Sequence, residues 1–246
     1  MERDPELAWS PYCGAGPAPG DWLARWNFDP LLITALAAGL LASVLLQRGS
    51  ARRLSIAATA VLAVSFVSPL CALSSALFSA RTVHHVLLVA VAAPLFAAGL
   101  SPPRRGVLPL ATLAQAGVFW AWHAPAAYGW ALSSDAAYWL MQVTLLGSAT
   151  WFWFAVRSAS APAAVGALLI AMVAMGLLGA LITFAGQPLY APHMITTIAW
   201  GLSPLEDQQA AGLIMWAPAS AIYLMTALVV LGRWIGPARR IEATSA

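Results

Sequence analysis

The chain has 246 residues, of which 61% are hydrophobic and only 9% are charged. Soluble domains carry about 25% charged residues, so the composition excludes a protein with a large water-facing surface. The net charge of +3 is too small to indicate nucleic-acid binding. The apolar residues fall in long blocks, which predicts a single membrane domain over residues 1–246 with no sizeable soluble domain.

The N-terminal segment, residues 1–29, begins MERDPELAWSPYCG. It is acidic and lacks the basic start and apolar core of a signal peptide, so we expect insertion to use the first membrane helix. Two cysteines, Cys13 and Cys71, are too few to predict a disulfide framework.

A helix needs roughly 20 apolar residues to cross a bilayer core about 30 Å thick. The apolar blocks predict an all-α bundle of seven transmembrane helices, at 31–47, 54–73, 83–100, 107–123, 136–156, 162–185 and 211–232. Asp29-Pro30 predicts the start of the first helix, since aspartate caps a helix and proline suits its first position. Residues 203–206, SPLE, predict a capping box before the last helix. Pro94 predicts a kink within the third.

The distribution of arginine predicts the orientation of this bundle in the membrane. Every basic residue is an arginine, and nine of the twelve fall on one side. That side holds Arg48, Arg52, Arg53, Arg104, Arg105, Arg157, Arg233, Arg239 and Arg240. The positive-inside rule makes it cytoplasmic, with the N-terminus and residues 1–29 outside and the C-terminus inside. The lack of lysine also excludes a retinal protein, whose Schiff base needs one.

With this orientation, all four histidines lie at the outer face. Ionisable groups within a membrane are functional candidates, and imidazole, thiolate and thioether groups are all copper ligands. The sequence therefore predicts a candidate copper site built from His85, His123 and His193, with Cys71, Met194 and Met215 as lesser candidates. A histidine at the interface also hydrogen-bonds to backbone or water without binding metal, so each histidine alone leaves both interpretations open. His84 and His85 point about 100° apart on a helix, so at most one of them is expected to face the bundle interior.

Other polar residues lie at the same outer level or inside the spans. Asp29 and Asp207 share the outer level, and Asp207 is expected either to stabilise a helix N-terminus or to pair with Arg81 or a histidine. Gln142 lies within the fifth span, where an interhelical hydrogen bond is the more probable role.

Six segments, in order along the chain, resemble the polytopic CtaG family of cytochrome c oxidase assembly factors. They are WNFDP at 26–30, VSPL at 67–70, FSARTVHHVLLVAVAAPLFAAG at 78–99, WHAPAAY at 122–128, ALITFAGQPLY at 180–190 and SPLEDQQAAGLIMW at 203–216. The resemblance selects His85 over His84 and adds Arg81, Asp207 and Gln208 as functional candidates. The chain departs from the family pattern at three positions. Members often carry histidine where this chain has Arg81 and Gln142, and aspartate where it has Cys71. A metal site here is therefore expected to have fewer histidine ligands than the family pattern, or to use Cys71 and methionine.

The resemblance implies a non-enzymatic chaperone of the respiratory chain that matures a haem-copper oxidase, with copper delivered or inserted at the outer face. It implies oxidase subunits and membrane lipid as partners, and a multi-pass location in the bacterial inner membrane. Two alternatives stay open. A copper or haem transporter would need a polar pathway across the bilayer. A b-type haem or quinone protein would need two facing histidines, such as His85 and His123.

Overall fold

The computed structural model describes residues 9–100 and 107–244, and every regular element in them is helical. Arg3, Arg104 and Arg105, which contribute to the predicted orientation, lie outside the described residues. The side chains of Arg239 and Arg240 are likewise not described.

Eleven α-helices follow one another in the described part of the chain. They are α1 Pro30–Leu46, α2 Gly49–Phe66, α3 Leu70–Ala76, α4 Phe78–Val86, α5 Ala93–Gly99, α6 Leu108–His123, α7 Pro125–Ala131, α8 Asp135–Ser158, α9 Ala161–Thr183, α10 Pro204–Ile214 and α11 Ser220–Thr244. Short 3-10 turns at Trp22–Ala24, Ala191–His193 and Ile198–Trp200 interrupt the loops.

Four helical segments of the described chain are long and apolar enough to cross a membrane: Phe78–Gly99, Asp135–Ser158, Ala161–Thr183 and Pro204–Gly236. The helices α2 and α3, which meet at a bend of 44°, make a fifth if they form one span. α1 is apolar but shorter, with 17 residues. The chain is thus an all-α, multi-pass membrane protein. Helices occupy all seven predicted segments, while the count of seven spans and their direction stay predictions.

Both predicted helix starts are confirmed. The Asp29 carboxylate accepts hydrogen bonds from the backbone N–H groups of Leu31 and Leu32, at 2.8 and 3.0 Å. Ser203 and Glu206 form the reciprocal capping box, in which the glutamate accepts from Ser203 N at 2.8 Å. The last long helix therefore begins at Pro204, ahead of the apolar segment predicted to start at 211.

The expected disturbance at Pro94 takes the form of a π-helical turn, Leu87–Ala92, which joins α4 to α5. A second π turn, Met215–Ala219, contains Pro218 and joins α10 to α11. Proline cannot donate a backbone hydrogen bond, and a wider turn is one way in which a helix absorbs that loss. Trp153 on α8 donates its indole N–H to the Val89 carbonyl in the first π turn, at 2.9 Å, and so fixes α8 against it.

The N-terminal segment lies across the ends of several helices and is joined to α3 by a disulfide between Cys13 and Cys71. Tyr12 stacks on Tyr138 of α8, with ring centroids 5.0 Å apart. No disulfide was predicted, because two cysteines separated by 58 positions carry no spacing signal. The pairing follows from the way this segment packs against the helix ends.

Glycine permits a close contact between α9 and α10. A Cβ atom added to Gly179 would lie 2.7 Å from the Gly212 carbonyl oxygen and 2.8 Å from Trp216 N. A Cβ on Gly212 would meet Thr183 Oγ1 and the Gly179 carbonyl. Small residues of this kind let membrane helices approach closely, and packing is a main source of their association.

We therefore expect Gly179→Ala to destabilise the bundle by about 1–3 kcal/mol, because the backbone of α10 must move away from the new methyl group. Thermal unfolding of the purified protein in detergent measures the effect. Gly166→Ala on the same helix is the matched control, since its Cβ would meet nothing within 4 Å. Equal unfolding midpoints for the two variants would contradict this account of the helix contact.

Candidate functional site

The four histidines lie in one buried group of rings, here called the histidine cluster: His84, His85, His123 and His193, with Phe78, Tyr128 and Tyr190. They come from α4, the end of α6, α7 and the loop before α10, which are far apart in the sequence. Each histidine is at most 2% exposed. The four histidines therefore share one aromatic region of the fold, and their rings are shielded from solvent.

His85 and His123 face each other, with ring centroids 5.4 Å apart. His123 Nδ1 contacts the Phe119 carbonyl oxygen at 2.7 Å, so this nitrogen carries the proton and donates it. The lone pair of His123 Nε2 is then left free, and this atom has no partner among the described residues. Both ring nitrogens of His85 also lack partners there. Unpaired imidazole nitrogens in a buried site are costly unless something else binds them.

His193 is committed to other contacts. Its Nδ1 lies 3.2 Å from the Ala76 carbonyl and its Nε2 lies 2.7 Å from the Tyr128 hydroxyl. A carbonyl only accepts, so Nδ1 donates and Nε2 accepts the tyrosine proton. Phe78 separates this ring from His123, with centroid distances of 5.9 Å to His193 and 6.4 Å to His123.

His84 lies beside the facing pair. Its ring centroid is 5.8 Å from that of His85, and its edge packs on Phe66 at 4.8 Å. Its two ring nitrogens have no hydrogen-bond partner in the described chain. Both adjacent histidines are therefore fully buried, contrary to the expectation that at most one faces the interior. α4 packs against both α3 and α10, and His84 packs on Phe66 of α2, so both sides of α4 are covered.

Arg81 lies on α4, four positions before His85. Its side chain is fully buried, with the guanidinium carbon 5.3 Å from the centroid of the Tyr138 ring. None of its three guanidinium nitrogens has a hydrogen-bond partner among the described residues. The tyrosine face offers the cation a favourable quadrupole, which partly offsets its removal from water.

Asp207 caps a helix other than its own. It lies in the first turn of α10, yet its carboxylate accepts hydrogen bonds from Phe78 N at 2.6 Å and Ser79 N at 3.2 Å at the start of α4. The Ser79 hydroxyl donates to it as well. Of the two expected roles, stabilisation of a helix N-terminus is the one seen. The described residues show no ion pair between Asp207 and Arg81.

The sulfur candidates do not join the histidine cluster. Cys71 is bonded to Cys13 and offers no thiolate, which corrects its place among the candidate ligands. Met215 packs against Gly179, and Met194 is 38% exposed. The described residues contain no group of three or more His, Cys, Asp or Glu side chains placed to hold a metal ion. Of the predicted ligands His85, His123 and His193, only His85 and His123 have ring nitrogens without a partner among the described residues. The metal site stays a prediction.

The two glutamine candidates differ in their contacts. Gln208 accepts from Leu189 N at 2.7 Å and donates to the carbonyls of Ile182 and Gln187, so it fastens the loop after α9 to α10. Gln142 is 2% exposed and neither amide atom has a partner in the described chain. The interhelical hydrogen bond expected of Gln142 is therefore not formed.

Sequence reasoning missed the aromatic residues of the cluster. Phe78 stacks on Tyr190 at 3.8 Å, and Tyr128 meets both rings edge-on at 5.2 Å. Tyr190 also donates to the His123 carbonyl at 2.8 Å. Their signal was the position of the two tyrosines at the ends of the segments WHAPAAY and ALITFAGQPLY.

Burial, with a smaller contribution from the charge of Arg81, lowers the pKa of His193 to about 3 from its usual 6.5. Below pH 6.5 the unfolded chain takes up a proton that folded His193 does not. The contribution of neutral His193 to the free energy of unfolding is therefore fully present above pH 6.5. It falls as the pH drops toward 3, by at most about 1.4 kcal/mol per pH unit. We expect the unfolding midpoint of the wild type to fall more steeply between pH 6.5 and 5 than that of His193→Gln. Parallel pH profiles would contradict the assignment of a neutral, buried His193.

Comparison with known families gives a match to the family described as cytochrome c oxidase caa3 assembly factor, over residues 107–236. This range includes His123, His193 and the α9–α10 contact. No curated protein and no solved structure matches the chain. Because the family match covers more than half of the sequence and agrees with the resemblance of the six segments, the chain belongs to the Caa3_CtaG family of cytochrome c oxidase assembly factors.

Proposed function

We propose that this protein assists the delivery or insertion of copper into a cytochrome c oxidase at the outer face of the membrane, without catalysing a reaction. The observation that carries the proposal is the pair His85 and His123. Two buried imidazoles from different helices face each other at 5.4 Å, with nitrogen lone pairs that no described residue uses. We assign copper as the cargo of this pair.

The chemistry of the pair suits a transient copper site. Imidazole nitrogen is a good ligand for copper. The Phe119 carbonyl orients His123 and fixes the tautomer that leaves Nε2 available. Histidines that bind metal commonly donate their other ring N–H to a carbonyl or carboxylate in this way. A ligand set limited to two histidines would hold the ion less firmly than a closed set of four, which favours release to an acceptor protein.

The disulfide supports the predicted orientation of the protein in the membrane. Disulfides persist in oxidising compartments and are rare in the cytosol. Cys13 and Cys71 lie at the same end of the bundle as the start of α4, close to the histidine cluster. Their pairing favours the orientation given by the arginines, with seven spans, an outer N-terminus and a cytoplasmic C-terminus. We infer a multi-pass location in the bacterial inner membrane and association with oxidase subunits.

We expect the purified wild-type protein to bind copper and the variants His85→Ala and His123→Ala to lose most of it, because each removes one of the two ligands. Metal analysis after loading with Cu(I) and desalting measures the bound ion. His193→Gln is the matched control and should keep copper, since His193 is bonded to Tyr128 and Ala76. Equal copper in wild type, His85→Ala and His123→Ala would overturn the metal assignment.

In cells that lack this protein, we expect oxidase activity to be low when copper is limiting and to return when the wild-type gene is supplied. The double variant His85→Ala/His123→Ala should fail to restore it, while added copper should compensate for the missing ligands. Oxidase activity in isolated membranes is the measurement. Immunoblotting of membranes shows whether the double variant accumulates. Full activity with the double variant at limiting copper would separate assembly from copper binding and reject the copper role.

A further inference from the structure

A lateral groove lies between α1, α2 and α8. Phe66, which lines it, also packs on His84 and separates the groove from the histidine cluster. Its volume is about 500 Å³. α1 packs on α2, which leaves a gap between α1 and α8. Leucine side chains from all three helices form its walls, including Leu36, Leu62 and Leu146. The groove is therefore an apolar space within the part of the bundle that faces the bilayer.

The groove has a graded polarity along its length. Asp29 and Asp135, at the starts of α1 and α8, line one end together with Tyr12. Gln142 lies seven positions after Asp135, about 10 Å further along the helix, and Leu146 lies about 6 Å beyond Gln142. Carboxylates at one end thus give way to one amide and then to hydrocarbon.

The polar groups of the groove have unused bonding capacity. The Asp29 carboxylate uses Oδ1 for both of its capping bonds. The described residues give neither Asp29 nor Asp135 a cationic partner, because the single ion pair found there joins Arg25 to Asp21. Gln142 is 2% exposed and its Nε2 and Oε1 atoms both lack partners. A buried amide without a hydrogen bond costs roughly 1–3 kcal/mol, so a partner for it is expected.

We propose that this groove binds one aminophospholipid from the surrounding leaflet. The ammonium of its head group pairs with Asp29 and Asp135, an ester carbonyl accepts a hydrogen bond from Gln142 Nε2, and an acyl chain lies against the leucines. The order of charge, amide and hydrocarbon along the groove matches the order of groups in such a lipid. Phosphatidylglycerol, an anionic phospholipid without an amine, has no ammonium to pair with the two carboxylates and is repelled by them.

The size of the groove suits a small amphiphile. Its volume of about 500 Å³ lies within the range of about 300–1,000 Å³ found for small-molecule sites.

The test uses the full chain, purified in mild detergent and reconstituted in phosphatidylcholine nanodiscs that contain either phosphatidylethanolamine or phosphatidylglycerol. Lipid that stays with the protein is quantified by mass spectrometry, and thermal unfolding is followed by tryptophan fluorescence. We expect phosphatidylethanolamine to be retained roughly three- to tenfold over phosphatidylglycerol, as two exposed charge pairs allow, and to raise the unfolding midpoint. The readout involves neither copper nor oxidase, so it stands independently of the proposed function.

Two matched pairs of variants locate the site. The double variant Asp29→Asn/Asp135→Asn should abolish the preference for phosphatidylethanolamine, because it removes both carboxylates. Asparagine still caps α1, so the start of the helix is kept. Asp21→Asn, an acid outside the groove, should keep it. Ala35→Phe fills the groove and should lose retained lipid, while Ala37→Phe, two positions along α1 and outside the lining, should not. Equal retention of the two lipids by the wild type, or unchanged retention in Ala35→Phe, would overturn the proposal. Loss of oxidase-subunit binding in Ala35→Phe with lipid retention unchanged would instead identify a protein-docking groove and also reject it.

Discussion

The carboxylate of Asp207 is the interaction on which the arrangement of the site depends. It joins α10 to the start of α4 by accepting the backbone N–H groups of Phe78 and Ser79. The first N–H groups of a helix have no partner within the helix, and they must be satisfied where water is excluded. Capping from a distant helix places α4, and with it Arg81, His84 and His85, at a fixed height in the bundle.

The buried polar groups of the bundle are of two kinds. Gln208 and His193 are satisfied by neighbouring backbone or side-chain groups, so their role is to hold loops and helices together. His85, His123 Nε2 and Gln142 are buried and unsatisfied. In a bilayer each unsatisfied group carries a large cost, and such groups are where a bound partner would contribute most. The candidate copper pair and the candidate lipid groove are two such places among the described residues, and the buried nitrogens of Arg81 and His84 are likewise without partners there.

The N-terminal segment borders the lateral groove. Tyr12 lines the groove and stacks on Tyr138, and the Arg81 guanidinium lies over the same Tyr138 ring. The bond between Cys13 and Cys71 anchors the segment to α3, beside α4. One covalent constraint thus holds an aromatic residue of this segment at the groove.

The membrane class, the helical segments, the caps at Asp29 and Ser203 and the family could be predicted from the sequence, because they depend on local composition, helix-capping chemistry and motif order. The spacing of the spans also predicts that the histidines share one face, which stays a prediction. The free nitrogens, the capping of α4 by Asp207, the bond between Cys71 and Cys13 and the groove between α1 and α8 could be seen only in the folded chain. These features join residues up to 129 positions apart, as in the bond from Phe78 to Asp207, and no local pattern encodes a contact of that range.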